Sequence, residues 1–156
     1  MSDRVTSKWT ETTTEAFGNT PEVRKGLVAE QMYYEWASKV YDDVKDHSKD
    51  KSNQVKGFDF SIWKKTWKNY YGVDVKGNMY ANGSFYVENQ SFGWLRNPKK
   101  KSDRIVHICP ETGWAIEYDR KKMIEYIDNN NILGEKLLLS SFDQDIKSLV
   151  RKFKVG

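Results

Sequence analysis

Asp59 lies between two phenylalanines, Asp74 between two valines, and Lys76 stands two positions beyond the second aspartate. Alternation along a strand sends successive side chains to opposite faces, so Asp59 turns away from Phe58 and Phe60, while Asp74 and Lys76 share the face opposite Val73 and Val75. The separation of 74 − 59 = 15 residues is long enough for a hairpin that brings the two acids side by side. Two carboxylates and an ammonium on adjacent strands suit phosphodiester cleavage. Hard oxygen ligands hold a divalent ion, the ion polarises the phosphate and lowers the pKa of a water, and a nearby cation supports the developing charge. Lys76 suits the last task, either by orienting the attacking water or by neutralising the phosphorane.

A third acid stands out upstream. Glu30 occupies a position between Leu27 and Tyr34 where a helical stripe calls for an apolar side chain. A buried carboxylate is costly unless it is paired or binds a cation, so Glu30 reads either as a structural ion pair or as a companion of Asp59 and Asp74. Glu88 and Gln90 share one face of a further alternating run, as accessory ligands for an ion or water or as ordinary exposed strand polarity. Downstream, Trp94, Arg96, Lys99, Lys100, Lys101 and Arg104 interleave an aromatic ring with cations, a pattern that suits a phosphate backbone with Trp94 stacking on a base, and equally a solvated basic loop. Trp63, Trp67, Tyr70 and Tyr71 read as a groove lining or, more ordinarily, as core and sheet cover.

The elements that must position these residues follow from period and punctuation. Residues 1–19 show no sustained period and read as a loose arm. Thr20-Pro21-Glu22 supplies a hydroxyl cap, a proline at the first helical position and an acid in the first turn. Val23, Leu27, Tyr34, Ala37, Tyr41 and Val44, with position 30, then predict a helix with a buried stripe. Asp46 to Gln54 is a charged break. Period two returns over Phe58 to Trp63, Val73 to Lys76 and, after the turn Ala81-Asn82-Gly83, Phe85 to Gln90. Ile105 to Cys109 and Trp114 to Tyr118, joined by Pro110-Glu111-Thr112-Gly113, predict a hairpin. Asp119 caps a predicted helix from about Arg120 to Ile127, and Asp143 to Phe153 reads as a final helix. The expectation is one α/β (α+β) domain over 20–156, a central mixed β-sheet flanked by helices.

Composition narrows the function classes. The 156 residues suffice for one core, and 38% hydrophobic with 14% aromatic content argues against wholesale disorder. Lysine and arginine number 26 against 22 acids, a net charge of +4 that favours polyanionic partners without requiring them. A single cysteine, Cys109, excludes an intramolecular disulfide, and with two histidines a zinc cluster has too few soft ligands. The polar, Thr-rich N-terminus and the lack of a long apolar run predict an intracellular protein with no membrane partner.

Gly57-Phe58-Asp59-Phe60 followed by Val73-Asp74-Val75-Lys76, behind a helix bearing Glu30, resembles the signature of the PD-(D/E)xK nuclease-like superfamily. Gly83-Ser84-Phe85-Tyr86-Val87-Glu88 and Ser102-Asp103-Arg104-Ile105-Val106-His107-Ile108 resemble segments of its phage-type members, so the similarity spans about residues 23–127. Phe58 stands where the family has proline. After Lys76, where the family usually places a helix packed on the sheet, this chain offers a strand and a short polar segment. The resemblance implies a restriction-endonuclease-like fold and a small endonuclease using Mg2+ (or Mn2+). It implies Asp59, Asp74 and Glu30 as metal ligands, Lys76 as the catalytic cation, and Glu88 and Gln90 as accessory site residues. It also implies nucleic acid, DNA foremost, as partner, the cytoplasm of a phage-infected host as one setting, and dimerisation as an open question.

Overall fold

A computed structural model describes residues 20–48 and 58–156; the expected arm and Gly57 lie outside the described residues. Helix α1 (Pro21–Val40) starts as its sequence demands, with the Thr20 hydroxyl accepting from the Val23 N–H at 3.3 Å and proline in the first turn. Its buried stripe is Ala29, Tyr33 and Ala37, continued by Tyr41 at the C-cap. That stripe is rotated from the expected one: Leu27 is 58% exposed and Tyr34 is 37% exposed. Two alanines let the helix approach the sheet closely while the Tyr33 ring, 5.4 Å from Phe60, fills the remaining space. Glu30 thus flanks the seam instead of occupying it.

The helix does not run to Val44. Tyr41 adopts an extended conformation at the C-cap, and the chain enters strand β1 (Asp43–Asp46), whose Val44 pairs with Ile62 of β2 (Phe60–Trp63). The apolar Val44 that fits a helical period fits the strand equally well, and pairing with β2 decides. Next come β3 (Tyr71–Lys76), β4 (Ser84–Glu88), β5 (Arg104–Ile108) and β6 (Trp114–Asp119). Helix α2 (Arg120–Asn129), β7 (Lys136–Ser140), α3 (Gln144–Lys147) and β8 (Arg151–Lys154) complete the described chain.

The main sheet has six strands in the order β1-β2-β3-β5-β6-β8, antiparallel throughout except for the parallel β3–β5 pair. This is the expected mixed sheet with helices against it, in one compact domain. The hairpin of β5 and β6 forms as expected, and Asp119 caps α2 by accepting from the Lys122 N–H. Two expectations fail. The final helix is a single turn, after which Arg151–Lys154 joins the sheet edge beside β6, burying Phe153 partly against Trp36. The spacing of Ile146, Leu149, Val150 and Phe153 mimics a helical stripe, but an open strand edge offers the backbone a full ladder. The third alternating run, β4, leaves the main sheet and pairs with β7, a strand that no alternation in the sequence announces.

Two cores result. On one face of the sheet α1 covers Phe60, Ile62, Val73, Val75, Val106 and Ile108. On the other, the β4–β7 ribbon, α2 and the loop bearing Trp94 and Leu95 cover Ile105, Ile116 and Tyr118. Full burial of a side chain such as Ile62 contributes roughly 1.5–3 kcal/mol relative to exposure. No helix of the described residues is long and apolar enough to cross a membrane.

Candidate metal centre

Strands β2 and β3 pair through Phe60 and Val73, and that register sets Asp59 beside Asp74 on the face turned away from α1. The pairing then changes character. Asp59 N–H still donates to the Val73 carbonyl, but the next β3 donor, Val75 N–H, is taken by Asp59 Oδ2 at 2.9 Å instead of a β2 carbonyl. Asp59 therefore closes the ladder with its own side chain at the end of β2. Its carboxyl lies within hydrogen-bonding reach of Asp74, and Lys76 Nζ stands 3.2 Å from Asp74 Oδ2.

Glu30 approaches from α1. Gly77 makes this possible: a Cβ there would lie 2.6 Å from the Lys25 carbonyl oxygen, so only glycine lets the helix backbone cross the end of β3. Four acids then share one neighbourhood. Burial, followed by the charges of Asp74 and Asp46, raises Glu30 from 4.5 to about 7, with Lys76 opposing. Burial, the Asp74 charge and a hydrogen bond that protonated Asp59 can donate to Asp74 push Asp59 far above the ordinary carboxyl range, against the Val75 N–H. Asp74 Oδ2 is fully buried and, among the described residues, makes no hydrogen bond beyond its ion pair with Lys76.

Lys76 is held on two sides, by Asp74 and by the Trp94 ring, whose centroid is 5.0 Å from Nζ. Beneath it His107 is fully buried between the Asn78 amide oxygen and the Tyr118 hydroxyl, and burial with the Lys76 charge pushes its imidazole down to about 3. His107 is therefore neutral, a packed support beneath a cation. Two depressions meet at Glu30: one of about 410 Å³ running along α1 to Tyr80, and one of about 110 Å³ bordered by Asp46, Ser48 and Phe60.

The remaining expected residues fall elsewhere. Glu88 stands opposite Lys136 in the β4–β7 register and Gln90 packs beside Gly93; no hydrogen bond or ion pair among the described residues joins either to the acids. Trp94 is 8% exposed and forms part of the second core, so it has no face for a base. Its alternation with cations resembles a surface patch, but the indole is the larger apolar group and the core claims it. Arg96 is engaged by Asp128 at 2.7 Å and Asn89 at 2.6 Å, and Arg104 by Glu117 at 3.7 Å and the rings of Trp67 and Tyr71 on the α1 face. Lys99 and Lys101 are exposed and Lys100 is half-buried. Trp67 packs between Tyr41 and Tyr71 as sheet cover. Asp46 does not stand out in the sequence because its strand is short and lies within a run of charges.

Comparison with protein-family models, curated proteins and solved structures returned no match.

Proposed function

We propose that the protein is a metal-dependent nuclease that hydrolyses phosphodiester bonds, with DNA as its substrate. The observation that carries the reading is the Asp59–Asp74 carboxyl pair at the parting of β2 and β3, with Lys76 3.2 Å from Asp74 and Glu30 alongside. A purely structural ion pair matches acid with base. Here the charges of Glu30, Asp46, Asp59 and Asp74 crowd one lysine, an arrangement that opposes folding and makes sense where a cation or a phosphate contact uses it.

Among the described residues no three His, Cys, Asp or Glu side chains form a ready ligand set. The residues nevertheless fit Mg2+, which keeps several waters and is commonly bound through one or two carboxylates and the substrate phosphate. Asp74 Oδ2, buried and met only by the Lys76 ammonium, is the atom such an ion would contact, with Asp59 as the second ligand and Glu30 beside them. Bound there, Mg2+ or Mn2+ supplies a polarised phosphate oxygen and a water of lowered pKa. The protein's own groups do the rest. Lys76, held between Asp74 and Trp94, presents a fixed positive charge to the phosphoryl oxygens. Glu30, at about 7, is matched to accept or return a proton near neutral pH.

Cleavage of plasmid and single-stranded DNA in Mg2+ and Mn2+ tests this reading. Wild type is expected to cut, and Asp74→Asn to cut nothing while its circular dichroism stays native. Lys76→Ala should keep metal binding and lose about 10²-fold or more in rate, as for other positioned charge stabilisers. A wild type that cuts nothing with either metal replaces this reading with that of a nucleic-acid-binding or structural protein on the same fold.

A further inference from the structure

We infer that the pocket between α1 and the segment after β3 seats an unpaired nucleotide, so that the substrate class is single-stranded nucleic acid. The inference rests on the cleavage reading of the adjoining carboxylates for its choice of ligand. The pocket, about 410 Å³, has the size of a site for one small ligand and includes Glu30 and Lys76 in its wall. Glu30 belongs to both the pocket wall and the carboxylate neighbourhood, so a strand with a phosphate at that neighbourhood brings an adjoining nucleoside to the pocket. In an intact duplex that base is stacked and paired, and it enters a separate cavity only by leaving the helix. A single strand has no such barrier.

The far wall suits a base and a backbone. Tyr80 lines the pocket, is braced edge-on by Tyr86 at 5.9 Å, and remains 46% exposed, a ring on which any base can stack. Lys25 stands at the rim, paired with Glu111 at 3.3 Å with both side chains about half exposed, a weak pair that a phosphate can displace.

Gly26 supplies an independent observation. It lies inside α1, where glycine is a poor helix former, and a Cβ there would meet no heavy atom within 4 Å. Nothing in the described protein excludes a larger residue at that position. Gly77, by contrast, is required by the crossing of α1. Both glycines line the pocket, and the bare wall at Gly26 leaves room for an occupant against the helix.

Fluorescence anisotropy of the Asp74→Asn protein with a short labelled DNA single strand, and with the blunt duplex of the same sequence, tests the assignment. The single strand is expected to bind about tenfold tighter or more, Tyr80→Ala to lose about tenfold of that affinity, and Tyr80→Phe to retain it. Gly26→Leu should weaken binding while its thermal midpoint holds or rises. Equal affinity for duplex and single strand, or wild-type binding by either Tyr80→Ala or Gly26→Leu, overturns the inference. Single-strand binding that depends on Tyr80, in a protein that cuts nothing, supports the pocket and removes the nuclease reading. Cutting of duplex and single strand at equal rates removes the pocket assignment and leaves the nuclease reading intact.

Discussion

At Asp59 and Glu30 the chain places carboxyls beside like charge and partly removes them from water, and both effects favour the protonated acids. Stability therefore depends on pH with a sign set by these shifts. Glu30, raised from 4.5 to about 7, holds a proton in the folded protein that the unfolded chain has released across that interval. Stability falls as pH rises through that window, and the upward shift of Asp59 extends the fall above neutrality. The groups facing Glu30 are Asp74, Asp46 and Lys76, so only Lys76 opposes the trend. Urea midpoints measured between about pH 5 and about pH 8 are expected to decline for wild type and to decline less for Glu30→Gln. Equal slopes would mean that Glu30 titrates as it does in the unfolded chain.

The element that assembles the site is α1, and its position depends on a backbone contact. The helix meets the end of β3 over Gly77, where a Cβ would sit 2.6 Å from the Lys25 carbonyl oxygen, an atom that cannot swing aside. Gly77→Ala is expected to destabilise the protein by about 1–3 kcal/mol in urea unfolding, the range for overpacking a close contact. It should also depress cleavage by more than the reduced stability explains, because the displaced helix carries Glu30 away from Asp74. A variant with wild-type stability and rate would show that α1 has room to shift.

Across the whole molecule, a net charge of +4 coexists with an acidic centre, so under the proposed function the phosphate backbone of a substrate would be held by cations elsewhere. Arg96 and Arg104 are committed to Asp128 and Glu117, which leaves the Lys99–Lys101 run as the exposed basic segment of that loop. Replacing its three lysines by alanine should lower the salt slope of nucleic-acid binding by about one unit for each phosphate that the run neutralises. An unchanged slope would assign the backbone contacts to another surface. Divalent ions act at the same scale: Mg2+ at a hundred times its Kd should stabilise the fold by about 2.7 kcal/mol, and a fixed Mg2+ concentration should stabilise it more at high pH, where protons compete less for Asp59. A thermal midpoint that ignores Mg2+ at every pH would exclude an ion from the pair.

The sequence by itself determined the local items: the Thr20-Pro21 start of α1, the alternation that turns Asp59 from its flanking phenylalanines and sets Asp74 with Lys76 on one face, the β5–β6 hairpin and the Asp119 cap. Each follows from a few neighbouring residues, whose dihedral preferences and side-chain directions do not await a partner. Asp46, Tyr80 and Gly26 were illegible because what distinguishes them is what stands opposite in space. The same holds for Trp94, whose ring was expected at the surface, and for the segment ending at Phe153, where a helical spacing yielded to an open edge beside β6. Only the tertiary structure decided these, along with the departure of β4 to β7 and the rotation of the α1 seam onto its alanines. An apolar residue at a suitable spacing satisfies a helix or a strand equally well, and the choice falls to whichever surface and backbone donors the rest of the chain leaves unfilled.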